Sequence, residues 1–140
     1  MVIRKADLND LETVYALSNL LENTILDKDG FTAAYEDAIR NDIVYLLEKD
    51  EVIGYIHFRI SQQLCRASRI MEILELVIKE EYRDKRYGKL LLDQAERYAG
   101  ENQIGLIEVL SSNWRKKAHR FYENNGYENT GYRFFKRIEI

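Results

Sequence analysis

The sequence predicts an α/β fold in which one mixed sheet carries helices on both faces. Runs rich in β-branched and aromatic residues alternate with amphipathic segments of helical periodicity. Three strand-like runs follow one another in the middle of the chain, so the order is not a repeated βαβ array. The 140 residues contain no proline, repeat or linker-like stretch, and we expect a single domain over residues 1–140.

The first half of the chain supplies two helices and three strands. Asp7 is suited to cap a first helix, which carries Leu8, Leu11 and Val14 on one face. Two β-branched runs flank a polar stretch at residues 49–51, which is typical of a hairpin. In order, we expect a strand at residues 2–4, a helix from residue 8 to 21, a helix at 31–39, and strands at 43–48 and 52–60.

The second half supplies the rest of the sheet and two further helices. Residues 70–78 form a nearly continuous apolar run, which predicts a buried central strand. Gly88 opens an amphipathic segment with Leu91 and Ala95 on its apolar face. In order, we expect a strand at residues 70–78, helices at 88–101 and 115–124 with a strand at 104–110 between them, and a last strand pair at 127–130 and 132–138.

Composition and charge limit the class of protein. The net charge of −3 argues against general nucleic-acid binding, which needs a basic surplus. No apolar run is long enough for a membrane span, and the single cysteine, Cys65, suits a reducing cytoplasm. Positive charge is concentrated at residues 83–89 and 115–120. These two clusters on an acidic chain predict either a bound anion with several phosphates or two solvated helix faces.

The segment from residue 76 to 92 carries the strongest functional signal. A hydrophobic strand ends, a short basic turn follows, and Gly88 opens a helix. Backbone N–H groups at a helix N-terminus are unpaired, and the helix dipole adds positive charge there. Such a turn can hold a pyrophosphate, and a glycine lets the backbone approach the phosphates closely.

Two motifs in this sequence resemble the signatures of the GNAT acetyltransferase superfamily. The first signature, Arg/Gln-x-x-Gly-x-Gly/Ala, is matched at both ends by Arg83 and Gly88, but Arg86 stands in place of its middle glycine. The second signature follows at the expected separation: Asn113, Ala118, Phe121, Tyr122, Gly126 and Tyr127. The resemblance covers nearly the whole chain. It implies a mostly antiparallel sheet that splays between its fourth and fifth strands.

A closer likeness is to the aminoalkylphosphonate N-acetyltransferases. Residues 72–77, 118–122 and 132–136 are similar to that subgroup, which is thought to use a divalent metal. The likeness weakens between residues 58 and 69, where the subgroup is histidine-rich. We find no histidine, cysteine and aspartate cluster with metal-site spacing, so we assign no metal ligands and leave the use of a divalent metal open.

The resemblance also implies acetyl-CoA as co-substrate. The pantetheine arm would pair with the fourth strand, and a backbone N–H there would stabilise the oxyanion. The pyrophosphate would lie at the basic turn. The implied contacts are Leu76, Val77 and Ile78 in the strand, Arg83, Asp84, Lys85, Arg86, Tyr87, Gly88 and Lys89 in the turn, and Asn113, Lys117, Ala118 and Tyr122 around the second signature.

Three residues are candidates for the chemistry. Tyr122 matches the family's general acid and carries its proton at neutral pH. Glu72 is the first choice for the general base and Glu75 the second, because glutamates within an apolar strand usually face a cavity or a partner. A regular strand would point these two to opposite faces, and a bulge would change that. His57, in the middle of a strand, is interpreted as a satisfied sheet histidine.

The acceptor is expected to be a small-molecule amine, such as an aminophosphonate, a polyamine or an amino sugar. Its pocket should lie between the helical residues 21–35 and the loop at 61–68, with Arg66 and Arg69 as candidates to hold an anionic group. A non-catalytic acyl-CoA sensor and a protein N-acetyltransferase remain as alternatives. A homodimer is compatible with the sequence.

Overall fold

The computed structural model describes residues 1–110, 116–131 and 134–140. They form two compact units, residues 1–108 and 109–140. The elements are β1 (Val2–Lys5), α1 (Leu11–Glu22), α2 (Lys28–Asn41), β2 (Ile43–Glu48), β3 (Val52–Gln63), β4 (Ser68–Ile78), α3 (Tyr87–Glu101), β5 (Ile107–Val109) and α4 (Lys116–Asn124).

The sheet is mixed, in the order β1-β2-β3-β4-β5. The first four strands pair antiparallel in sequence order, and β5 runs parallel to β4. A tight connection at residues 49–51, closed by the Lys49 N–H donating to the Glu51 carbonyl at 2.9 Å, forms the predicted hairpin. The predicted mixed α/β fold is confirmed.

Helices cover both faces of the sheet in the first unit. On one face, Leu17 of α1 and Tyr35 of α2 pack in a buried cluster with Leu46, Tyr55 and Val77 of the strands. On the other face, the Tyr98 ring of α3 lies 5.3 Å from the ring of Phe58. Because both faces of the central strands are covered, Leu46 and Phe58 have no exposed surface.

Two aspartates determine where the first two helices begin. Asp7 caps a short 3-10 turn, Leu8–Asp10, through its side chain and the Asn9 N–H at 2.8 Å, so α1 starts later than predicted. Asp27 accepts from the Gly30 N–H at 2.7 Å and starts α2 three residues earlier than predicted.

A β-bulge interrupts β4 in the middle of the sheet. His57 on β3 pairs with Glu75, but the next residue, Phe58, pairs with Ile73, which leaves Leu74 as an extra residue on β4. Glu72 pairs with Arg59, two residues beyond His57 and on the same face of β3. The bulge therefore brings Glu72 and Glu75 to one face of the sheet, where a regular strand would separate them.

The predicted final strand pair is not formed in the part of the chain that the structure describes. Residues 127–131 and 134–140 contain no strand. Phe134 and Phe135 are 89% and 71% exposed, so they lack the packing against a pleated surface that stabilises aromatic residues in strands.

Candidate active site

The connection from β4 to α3 contains two residues with left-handed backbones. Asp84 and Arg86 have left-handed backbones, with φ of 62° and 66°. Arg86 is the N-cap of α3, and its side chain makes no capping hydrogen bond, so it leaves the first-turn amides of this described helix open to a ligand. Glycine adopts this conformation at the lowest cost, so Arg86 holds a backbone conformation that favours the glycine of the signature.

Charged side chains of the turn reach the solvent around the start of α3. Arg83 donates from Nε to the Ile78 carbonyl at 2.9 Å, which ties the turn to the end of β4. Lys89 contacts Asp93 one turn along the helix at 3.0 Å. The exposed members are Arg83, Asp84, Lys85, Arg86 and Lys89, while Tyr87 and Gly88 are half-buried.

The end of β4 lies tightly against β3. Leu76, Val77 and Ile78 pair with Ile56, Tyr55 and Gly54, and β5 is the neighbour on the other edge of β4. A Cβ atom at Gly54 would lie 2.5 Å from the Val77 carbonyl oxygen and 2.6 Å from Cδ1 of Ile78. Only glycine at position 54 lets β3 approach this segment so closely.

A cavity of about 340 Å³ lies between the sheet and the helices α1 and α2. Helical residues such as Leu21, Phe31 and Ala34 form its apolar wall, as expected for the segment 21–35. Its polar residues are Ser18, Glu22, Tyr35, Tyr55, His57 and Glu75.

Four ionisable side chains form a series of hydrogen bonds that starts at the cavity. Glu75 Oε1 lies 2.6 Å from Nδ1 of His57, and Nε2 of the same ring lies 2.8 Å from Oδ2 of Asp42. Arg59 then donates to both oxygens of Asp42, at 3.0 and 3.1 Å. The Asp42 side chain is only 3% exposed, so this series of hydrogen bonds links the cavity to a buried carboxylate.

This arrangement shifts the pKa values of His57 and Asp42. Burial by itself lowers the pKa of His57, but hydrogen bonds and charges from Glu75 and Asp42 outweigh burial and raise it above 6.5. Burial opposes ionisation of Asp42, yet the hydrogen bonds from Arg59 and His57 prevail and lower its pKa. The two carboxylates therefore favour the protonated form of the imidazole between them.

A pair of neutral hydroxyl groups lies beside this series of hydrogen bonds. The hydroxyl groups of Ser18 and Tyr55 are 2.7 Å apart in the core. Burial, together with the charge of Glu75, raises the pKa of Tyr55 far above its ordinary range, so its proton stays in place at neutral pH.

The two predicted base candidates have different surroundings. Glu75 lines the cavity and contacts His57. Glu72 accepts a hydrogen bond from Ser61 Oγ at 2.8 Å and is not one of the residues around this cavity. The structure brings Glu75, the second choice from sequence, to the cavity.

The two arginines expected to hold an anionic group, Arg66 and Arg69, lie away from this cavity. Arg66 forms an ion pair with Glu108 and a 2.9 Å hydrogen bond to Gln63, and Arg69 donates to the Asn102 carbonyl at 2.9 Å. Neither arginine, nor any residue of 61–68, lines the described cavity. The strands β3 and β4 are longer than predicted, so the turn that joins them, Leu64–Arg66, lies beyond the sheet region that faces α1 and α2.

The second unit contains the residues of the second signature. Tyr122 is half-buried on α4, with its ring 5.2 Å from that of Phe121 and 5.7 Å from that of Tyr127. Lys117 is exposed, and Ala118 is half-buried. Asn113 lies outside the described residues.

His57 is a satisfied sheet histidine, as interpreted from the sequence, while its partner Asp42 was not singled out there. The available signal was the alternation of His57 with Arg59 on one strand, because two cationic side chains on the same face require acidic partners. Asp42 precedes β2 and carries no pattern of its own, so only the pairing of β2 with β3 reveals its role.

The described ranges contain neither a candidate metal cluster nor a membrane-spanning helix. Within residues 1–110, 116–131 and 134–140, no group of three or more histidine, cysteine, aspartate or glutamate side chains is placed to hold a metal ion. None of the helices in these ranges combines the length and the apolar character needed to cross a bilayer.

Comparisons with known proteins identify the family of this chain. The model of the acetyltransferase (GNAT) family matches residues 11–127. Aminoalkylphosphonate N-acetyltransferase of Salmonella typhimurium is 34% identical over 97% of this chain and 90% of its own length. The uncharacterised N-acetyltransferase YhfO of Bacillus subtilis is 28% identical over 94% of this chain and 93% of that protein.

Solved structures show the same fold. An aminoglycoside N-acetyltransferase in complex with CoA, AAC(6')-Iy, has a TM-score of 0.87 over 99% of this chain and 95% of that chain, at 17% identity. The sequence resemblance is thus confirmed by the family match and by the fold. The chain belongs to the acetyltransferase (GNAT) family as an acetyl-CoA-dependent N-acetyltransferase, with acetyl-CoA as its co-substrate.

Proposed function

We propose that this enzyme acetylates the primary amine of a small molecule bound in the cavity between the sheet and the helices α1 and α2. The observation that carries the proposal is the position of Glu75, a carboxylate on the cavity wall within the strand expected to bind the pantetheine arm. The relatives support an amine acceptor, because the names of two of them specify an aminoalkylphosphonate and an aminoglycoside.

In this proposal Glu75 is the general base. Its carboxylate takes a proton from the substrate ammonium group, either directly or through water, and the free amine then attacks the acetyl carbonyl. The imidazolium of His57, supported by Asp42, fixes the carboxylate by a hydrogen bond at 2.6 Å. Fixing the base in this way keeps its oxygen directed at the position of the amine.

Two further groups complete the transfer. Acetyl-CoA supplies the acetyl group as a thioester. A backbone N–H among Leu76, Val77 and Ile78 stabilises the negative charge on the acetyl oxygen. Tyr122, proposed on the second signature, gives its hydroxyl proton to the departing sulfur.

The binding residues for coenzyme A are proposed from the turn and the signatures. The open amides at the start of α3 bind the pyrophosphate, and the side chains of Arg83, Lys85, Arg86 and Lys89 add positive charge around it. Asp84 and Tyr87 shape the turn, Gly88 admits the phosphates, and Asn113, Lys117 and Ala118 are assigned by the second signature.

A non-catalytic sensor is the less favoured candidate. The sequence feature that favoured it was Arg86 in place of glycine, and Arg86 adopts the left-handed conformation that the signature glycine would adopt. The volume of the cavity, about 340 Å³, suits a small molecule better than a protein substrate. Thiol release from acetyl-CoA with a panel of amines separates an enzyme from a sensor, since a sensor would bind coenzyme A without releasing thiol.

Single-turnover measurements test the base and the acid. We expect Glu75→Gln to slow acetyl transfer by about 10²–10⁴-fold, and Tyr122→Phe to do the same with unchanged acetyl-CoA affinity. Glu72→Gln and Tyr127→Phe are the matched controls and should lose less than about tenfold. A larger loss in Glu72→Gln than in Glu75→Gln would reverse the assignment of the base, and a wild-type rate in Tyr122→Phe would remove the acid.

The proposal also covers the cellular location of the protein and its oligomeric state. The exposed free thiol of Cys65 suits the reducing cytoplasm. A homodimer remains a proposal that sedimentation analysis can test.

A further inference from the structure

We propose that the paired hydroxyl groups of Ser18 and Tyr55 donate a hydrogen bond to an oxygen atom of the acceptor, so that amines carrying such an oxygen bind preferentially. This inference rests on the proposed function of the cavity between the sheet and the helices α1 and α2, and it adds two residues that determine specificity. It follows from the position of the pair, from its burial and from the number of hydroxyl hydrogens that it carries.

Ser18 is a polar residue on a mostly apolar face of α1. Val14, Leu17 and Leu21 share this face, which packs against the sheet. Ser18 is 7% exposed and lines the cavity. A buried hydroxyl group costs free energy unless it is hydrogen-bonded, and alanine at this position would avoid that cost. The serine is therefore best explained by the hydrogen bonds that it makes.

Tyr55 brings the second hydroxyl group from the sheet. Tyr55 lies on β3, is 2% exposed and lines the same cavity. Its hydroxyl oxygen lies 2.7 Å from Oγ of Ser18. Burial, together with the charge of Glu75, raises the pKa of Tyr55, so its hydroxyl group keeps its proton at neutral pH. The wall of the cavity thus holds two complete hydroxyl groups side by side.

The pair carries one hydrogen more than its own bond uses. Each hydroxyl group has one hydrogen and can also accept, so the bond between them uses a single hydrogen, whichever oxygen donates it. Within residues 1–110, 116–131 and 134–140, neither oxygen has a second hydrogen-bond partner. A buried donor without an acceptor is costly. The second hydrogen is therefore suited to an oxygen atom of a molecule bound in the cavity.

The pair lies close to the proposed position of the amine. Tyr55 and His57 are two residues apart on β3 and both line the cavity, so they share one face of the strand. Glu75, the proposed base, contacts His57. Two residues of a strand span about 7 Å. An acceptor with its nitrogen at Glu75 can therefore place an oxygen at the hydroxyl pair if a short carbon chain separates the two atoms.

Three matched pairs of amines test the preference. In each pair a hydroxyl group takes the place of a methyl group of similar size: 2-aminoethanol with propylamine, 3-aminopropan-1-ol with butylamine, and 4-aminobutan-1-ol with pentylamine. Calorimetric titration into the protein with coenzyme A present should give about threefold to tenfold tighter binding of the amino alcohol in at least one pair. Thiol release from acetyl-CoA, measured in parallel, reports on transfer itself.

A methyl ether tests which side donates the hydrogen bond. The O-methyl ether of the preferred amino alcohol accepts a hydrogen bond but cannot donate one. It should still bind more tightly than the matched alkylamine, because the protein is the donor in this inference. The cavity of about 340 Å³ has room for the added methyl group.

Two double variants locate the preference at the pair. Ser18→Ala combined with Tyr55→Phe removes both hydroxyl groups, so neither is left buried without its partner. This double variant should lose the preference for the amino alcohol and still bind the alkylamine. Ser61→Ala combined with Tyr45→Phe removes the same two groups outside the cavity lining and should keep the preference. Urea unfolding of both double variants checks that they are folded.

Every result supports or overturns the inference. Equal or undetectable affinities within all three pairs, or a preference that persists in the Ser18→Ala and Tyr55→Phe double variant, overturn it. Thiol release with the alkylamines would in that case still support the proposed transferase. An ether that binds no more tightly than the alkylamine overturns the pair as the donor. A preference that the double variant abolishes, but without thiol release from any amine, supports the inference and overturns the proposed transfer.

Discussion

His57 links Glu75, on the cavity wall, to the buried carboxylate of Asp42. His57 uses both ring nitrogens, one for Glu75 and one for Asp42, and its side chain is only 13% exposed. A buried imidazolium would be costly alone, and the two carboxylates offset that cost. The groups that face this ring are Glu75 from β4, Asp42 before β2, and Arg59 through Asp42.

The pH dependence of stability tests this role of His57. Because its folded pKa is raised above 6.5, its contribution is fully present below pH 6.5 and is lost as the pH rises through the folded pKa. His57→Gln should therefore lower the free energy of unfolding by about 2 kcal/mol at pH 6, and by less at pH 9. Urea unfolding at both pH values measures this, with His119→Gln as control. An equal loss at both pH values would contradict a protonated His57.

At the scale of elements, β4 combines two local irregularities that serve different purposes. The bulge at Leu74 brings Glu75 and Glu72 to one face. Four residues later, β4 passes so close to β3 that only Gly54 fits opposite Ile78. The first irregularity places a carboxylate at the cavity, and the second sets the position of the segment proposed to bind the pantetheine arm.

Two glycine substitutions of opposite expected sign test the close contact of β3 and β4. Gly54→Ala should lower the free energy of unfolding by about 1–3 kcal/mol, because its new methyl group would overlap the Val77 carbonyl. Gly100→Ala in α3 should raise it by up to about 1 kcal/mol, since nothing lies within 4 Å of the added Cβ and alanine favours the helix. Chemical denaturation checks both. Stabilisation by Gly54→Ala would show that the strands separate easily there.

At the scale of the whole molecule, one strand connects the two proposed ligand sites. The strand β4 contributes Glu75 to the cavity on the α1 and α2 face, and its end leads into the basic turn before α3. Residues 75–88 thus connect the proposed amine site to the proposed phosphate site within the first unit.

Binding of acetyl-CoA should stabilise the whole chain. Free ligand at 100 times its dissociation constant should raise the free energy of unfolding by about 2.7 kcal/mol, because only the folded state forms the site. Gly88→Val should abolish the increase, since its side chain would obstruct the phosphates at the start of α3. Gly100→Ala, in the same helix, should retain it. Thermal unfolding with and without acetyl-CoA measures the shift, and an unchanged shift in Gly88→Val would place the phosphates elsewhere.

The sequence by itself determined the family, the order of most elements and the basic turn before α3. These features depend on local patterns: the alternation of strand and helix periodicities, the caps, and residues 83–88 in one short segment. The end of the chain was the exception, because aromatic residues such as Phe134 predict a strand only if a pleated partner covers them.

Only the tertiary structure decided which residues surround the cavity proposed to bind the acceptor. The sequence favoured Glu72 over Glu75 and assigned Arg66 and Arg69 to the pocket, because spacing along a strand does not reveal a bulge or the length of a hairpin. The extra residue in β4 and the pairing of β2 with β3 bring Asp42, His57 and Glu75 together from three separate segments. Contacts between distant segments depend on register, and register is fixed by the packing of the whole sheet.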